Sequence, residues 1–80
     1  MKVIEVLGSG CPNCQKLEAN AREAVAQAGI EAQIIKVTDY GEIASRGVMS
    51  TPGLVIDGKV VSAGKIPTPP TIAAWLTAEA

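Results

Sequence analysis

Two cysteines three residues apart, in Cys11-Pro12-Asn13-Cys14, follow an apolar run from Val3 to Leu7 and a Gly8-Ser9-Gly10 turn, and they open a long helical pattern. On the first turn of a helix such a pair are neighbours in space, near enough to form a disulfide and to release it again. The free backbone N–H groups and the positive dipole end of that helix favour a thiolate over a thiol at its start. The chemistry suggested is thiol–disulfide exchange, and the chain must fold so that a strand delivers this turn to the mouth of a helix.

The rest of the chain supplies such a frame. Residues 2 to 7 read as a strand buried on both faces, since Val3, Ile4, Val6 and Leu7 are apolar without alternation. From Pro12 to Ala28 the apolar positions Leu17, Ala21, Ala24, Val25 and Ala28 recur with helical spacing, and Gly29 is a stop. Pro12 suits the first helical position, where a missing N–H is no loss. Residues 31 to 37 form a second strand around Ala32, Ile34, Ile35 and Val37, and strand–helix–strand implies a right-handed crossover and a parallel pair. Asp39 with Glu42 signals the cap of a short helix through Ile43 and Ala44 that stops at Gly47. Strands 53–56 and 59–63 flank Asp57-Gly58, a strong hairpin signal, and pair antiparallel. Thr68 then caps a last helix beginning with Pro69 and Pro70 and carrying Ile72, Trp75 and Leu76 on its apolar face. The predicted order is βαβαββα, an α/β fold with a four-stranded mixed sheet and helices on both faces.

Eighty residues make a single domain, 1–80, burying roughly 60% of its unfolded surface. With Tyr40 and Trp75 the only aromatics, the core falls to Val, Ile, Leu and Ala. A formal charge of −1 with acids and bases interspersed gives no basis for capturing nucleic acid or an acidic membrane surface. No stretch is apolar and long enough to span a bilayer, and Met1-Lys2-Val3 runs into a strand without a secretory h-region, so a cytoplasmic location is expected. Thiols are mostly kept reduced there, which argues for a redox or metal role over a purely structural bridge. Histidine is absent, which removes the usual further zinc ligands and any Cys–His catalytic pair, and no bound cofactor or metal is expected.

With Cys11-Pro12-Asn13-Cys14 at the first strand–helix junction and Thr51-Pro52 before the third strand, the chain resembles the thioredoxin superfamily, and most closely its small glutaredoxin-like redox-active disulfide proteins. The likeness runs nearly end to end through 8–14, 48–56 and 58–64 and implies the minimal thioredoxin fold. It implies that Cys11 attacks, that Cys14 resolves, and that Pro52 is a cis-proline opposite the disulfide, with Thr51's backbone free to pair with an extended peptide. The residue-level alternative for Pro52 is a strand-start proline. The resemblance further implies disulfide-containing protein substrates and electrons from an NADPH-dependent thioredoxin reductase-type donor. It does not carry glutathione over: Asn13 replaces the Tyr common in glutaredoxins, Ser9 and Gly10 offer no charge where those proteins carry a Lys upstream of the motif, and Ala63-Gly64-Lys65-Ile66 lacks their second Gly and Asp.

Glu5, six residues before Cys11, falls where thioredoxins often hold a buried acid, and is a candidate proton relay for the resolving thiol; a strand Glu can equally project to solvent. Gly64 and Lys65 are candidate rim residues, together with Gly8, Ser9, Gly10, Met49, Ser50 and Ile66, although a loop lysine needs no function. Two other functions fit a dithiol. One is soft-metal binding of the Cu(I) type, whose chaperones run βαββαβ. The other is a redox sensor without turnover.

Overall fold

The computed structural model describes residues 2–8 and 10–78. Along the chain lie β1 (Lys2–Leu7), α1 (Pro12–Ala28), β2 (Ala32–Val37), α2 (Tyr40–Ser45), β3 (Gly53–Ile56), β4 (Lys59–Ala63) and α3 (Pro69–Ala78). This is the order expected from the sequence. The sheet runs β2-β1-β3-β4, with β1 parallel to β2 and antiparallel to β3, and β3 antiparallel to β4. Leu7 stands opposite both Val37 and Gly53. One end of the sheet therefore gathers the chain leaving β1 toward Cys11 and the chain entering β3 from Pro52.

Both faces of the sheet are covered. Ile4 and Val6 of β1 join Leu54 and Ile56 of β3 under Leu17, Ala21 and Ala24 of α1 and Ile72 and Leu76 of α3. Trp75 is half-buried against this cluster. The alternate residues Leu7, Val37 and Val55 meet Ile43 of α2 and Val48 on the other face. Gly and aliphatic residues at every position of β3 are buried, as a central strand between two layers requires. The edge strand β2 is covered less well, and Ile35 is left exposed.

Local signals account for the boundaries. At the end of α1, Gly29 takes the left-handed conformation (φ 66°), and its N–H donates to the carbonyls of Val25 and Ala26. Asp39 caps α2, its side chain accepting the N–H of Glu42 at 3.0 Å. No helix among the described residues is long and apolar enough to cross a membrane.

The Asp57-Gly58 turn does more than join β3 to β4. Asp57 donates its N–H to the Val3 carbonyl at 2.8 Å, and its carboxylate accepts the Val3 N–H at 2.9 Å. Lys2 lies 3.3 Å from the same carboxylate. The Val3 N–H first, and Lys2 next, hold the Asp57 carboxyl below its ordinary 3.8. A depressed carboxyl adds stability that is complete above the unfolded-state value and disappears as pH falls through the lower folded value. Asp57→Asn, which tolerates the positive φ at this position, is expected to melt at a lower temperature than the wild type at neutral pH. The gap should narrow as pH falls below 3.8 and through the lower folded value, as thermal melts across an acid pH series would show.

Candidate active site

Cys11 is the N-cap of α1, with extended dihedrals (φ −66°, ψ 162°), and its Sγ accepts the Cys14 N–H at 3.2 Å. Its carbonyl accepts the Gln15 N–H at 3.0 Å, the first turn of the helix ladder. A sulfur thus occupies the place where Ser, Thr or Asp usually satisfies a helix's unpaired donors. The first turn of α1 holds no acidic residue to offset the positive end of the dipole. The two cysteines are joined as a disulfide with Cα atoms 5.1 Å apart, within the range that such bonds span. They differ in access: Cys11 is half-buried and Cys14 keeps 5% of its surface. Pro12 and Asn13, between them, are exposed.

The opposite wall comes from the segment before β3. The Thr51–Pro52 bond is cis, as the family resemblance implied. Pro52 is buried, its carbonyl accepts the Gly64 N–H at 2.9 Å, and Thr51 beside it is exposed. Gly64 thus ties the end of β4 to this loop. Lys65, the other rim candidate, instead lines a groove of about 500 Å³ between β4 and α3, together with Trp75. Met49 is 93% exposed near the rim. Ser9, also expected there, lies outside the described residues.

Gly8 joins the two walls. A Cβ built on it would overlap Cys14 Sγ, come within 3.2 Å of Cys14 Cβ, and lie 4.0 Å from the Pro52 Cα. Its N–H donates to the Val37 carbonyl at 2.9 Å, which holds the backbone against the sulfur.

The candidate relay Glu5 stands elsewhere. Side chains alternate along a strand, so Glu5 shares the face of Leu7, which packs toward α2, while its neighbours Ile4 and Val6 face α1. There Arg46, the C-cap of α2, donates through Nε and Nη2 to both carboxylate oxygens of Glu5. The bond to Glu5 raises the Arg46 guanidinium above its already high ordinary value. The carboxylate is therefore committed to a partner across the sheet from α1 and Cys14.

A different acid lies on the Cys14 side. A cavity of about 70 Å³ is lined by Gly8, Cys14, Glu18, Lys36 and Thr38, among others. Glu18 Oε2 accepts two bonds from Arg22, at 3.0 and 2.8 Å, and Oε1 lies 3.2 Å from Lys36 Nζ. Glu18 is four residues beyond Cys14 on α1, so helical periodicity alone puts the two on one face. The arrival of Lys36 from β2 depends on the parallel crossover and carries no local sequence signal.

A disulfide seated as the N-cap of the first helix, on a βαβαββα sheet and beside a buried cis-proline loop, defines a thioredoxin-fold thiol–disulfide oxidoreductase. Comparison with known proteins gives the family. The thioredoxin domain family model matches residues 2–77, and the chain belongs to that family. It is 47% identical over 68 residues to a thioredoxin of Methanocaldococcus jannaschii, covering 85% of this chain and 78% of that one. To a thioredoxin of Methanothermobacter thermautotrophicus it is 42% identical over 66 residues, covering 82% and 86%.

Proposed function

We propose that this chain exchanges its Cys11-Pro12-Asn13-Cys14 dithiol and disulfide with the disulfides of other proteins. Cys11 attacks as a thiolate, Cys14 resolves the mixed disulfide, and Thr51 and Pro52 receive the substrate backbone beside the sulfur pair. The unequal burial of the two cysteines carries this assignment. An incoming disulfide reaches the half-buried Cys11 at the helix cap, whereas Cys14, nearly closed off against Gly8, can meet only a sulfur already bonded to Cys11. An N–H donated to Cys11 Sγ stabilises negative charge on that sulfur and favours its departure when the bond is cut.

The relatives named thioredoxin support protein disulfides as substrates and an NADPH-dependent reductase of the thioredoxin type as the electron donor. The setting we favour is the cytoplasm, where dithiols are kept reduced. The uncharged Gly10 and the Ala63-Gly64-Lys65-Ile66 turn argue against glutathione as the regular reductant. The soft-metal alternative called for βαββαβ, and the observed order ends in a hairpin and a helix.

The decisive measurement is the equilibrium reduction potential of the dithiol, with parallel reduction by glutathione and by NADPH with a thioredoxin reductase. We expect a reversible two-electron couple between about −270 and −120 mV, the span of such proteins, and faster reduction by the reductase than by glutathione. A sulfur pair inert toward oxidants and reductants alike would remove the basis of the proposal.

A further inference from the structure

We propose that Glu18 is the proton acceptor for Cys14 in the resolving step, reached through the small cavity that both residues line. The inference rests on the exchange mechanism above. Cys14 must lose a proton before it attacks Cys11, yet its side chain is almost fully enclosed. The cavity beside it, about 70 Å³, is lined also by Glu18, Lys36 and Thr38. That volume is well above the roughly 10–15 Å³ that one water needs, and its lining includes a carboxylate, an ammonium and a hydroxyl.

The bonding of Glu18 leaves it able to accept. An ionised carboxylate has about four lone-pair sites. Arg22 takes two on Oε2, and Lys36, itself at the cavity wall, is paired with Oε1. A lone pair on Oε1 remains for water. The Arg22 hydrogen bond first, and Lys36 with it, hold the Glu18 carboxyl below its ordinary 4.5, so the acceptor is ionised at neutral pH. Even so lowered, a carboxylate is a far stronger base than water, and a thiol gives it a proton correspondingly faster. The charged groups at the cavity are Glu18 from α1, with Arg22 behind it, and Lys36 from β2.

In the resolving step the Cys14 proton passes through water to Glu18 and then to solvent. The Cys14 electron pair forms the bond to Cys11 Sγ, the bond from Cys11 to the partner sulfur breaks, and the partner leaves as a thiolate. The protein's dithiol is oxidised by two electrons and the partner disulfide is reduced by two.

Reduced protein mixed with excess 5,5′-dithiobis(2-nitrobenzoate) separates the steps by absorbance. The first thiolate released reports attack by Cys11 and depends on reagent concentration; the second reports resolution by Cys14 and does not. Glu18→Gln is expected to leave the first phase unchanged and to slow the second by about 10-fold or more. Its second phase should also track hydroxide, rising about 10-fold per pH unit, more steeply than the wild type. Added formate, small enough for the cavity, should restore part of the rate. Arg22→Gln breaks the Arg22 ion pair outside the cavity lining but keeps the carboxylate, and its second phase should stay near wild type.

A simple charge effect has the opposite sign, because removing Glu18 leaves Lys36 uncompensated and eases thiolate formation. A second phase in Glu18→Gln that is unchanged or faster overturns the proposal. So does equal slowing in Arg22→Gln. Loss of the first phase in the wild type would instead overturn the exchange mechanism itself.

Discussion

A Cys14→Ser protein is expected to turn from a catalyst into a trap. With Cys11 intact, attack on a partner disulfide still proceeds, because the Cys14 backbone N–H that faces Cys11 Sγ is retained. The serine hydroxyl cannot displace the partner sulfur, so the mixed disulfide accumulates. Turnover should fall by about 100-fold or more, the scale of removing a nucleophile that acts in an obligatory step. Non-reducing electrophoresis with mass spectrometry would show partner adducts at Cys11 that dithiothreitol releases. Cys11→Ser should give neither turnover nor adducts, since its remaining thiol lies buried. Near-normal turnover by Cys14→Ser, or failure to form adducts with reducible partners, would overturn the two-step mechanism. Serine is smaller than cysteine, and its oxygen fits beside Gly8 without new crowding, so the variant should retain the fold.

Much of this arrangement is legible in the residues, and what is not shares one physical cause. The helix α1 declares itself through Pro12, the apolar spacing from Leu17 to Ala28, and Gly29; the hairpin does so through Asp57-Gly58. These are local signals, settled by dihedral preference and periodicity. The orientation of Glu5 is different. A strand covered on both faces is apolar at both parities, so the pattern of β1 does not say which parity meets α1 and which meets α2. Glu5 at the right distance in sequence from Cys11 thus comes to lie on the wrong face for it, paired with Arg46. Ile35 is a similar case, apolar in sequence yet exposed, because edge position is a property of the assembled sheet. Lys36 reaches the cavity beside Cys14 for the same reason, through strand order and not through spacing.

Gly8 bears the same lesson at the centre of the site, and it carries the second large expected effect. In sequence it reads as the first residue of a glycine turn. In the fold its φ is not among the positive values, so backbone freedom is not what glycine supplies here. What it supplies is space: any Cβ would overlap Cys14 Sγ, and the Gly8 N–H bond to Val37 prevents the strand end from backing away. Gly8→Ala must push Cys14 and the start of α1 outward, at a cost of about 1–3 kcal/mol, typical of overpacking. For a chain of this size each kcal/mol corresponds to a fall in Tm of roughly 4–8 °C. Resolution should slow with it, because the Cys14 sulfur would be displaced from its line to Cys11. Gly10→Ala is the contrast: nothing lies within 4 Å of its added Cβ, and its φ of +88° makes the cost one of backbone strain alone. A double-mutant cycle in the reduced proteins tests the steric cause, since no disulfide then contributes. Placed on Cys14→Ala, which removes the sulfur, Gly8→Ala should cost much less than on the wild type, and Gly10→Ala should cost the same on both. Strict additivity of Gly8→Ala with Cys14→Ala would mean that the sulfur is not what the missing side chain at Gly8 accommodates.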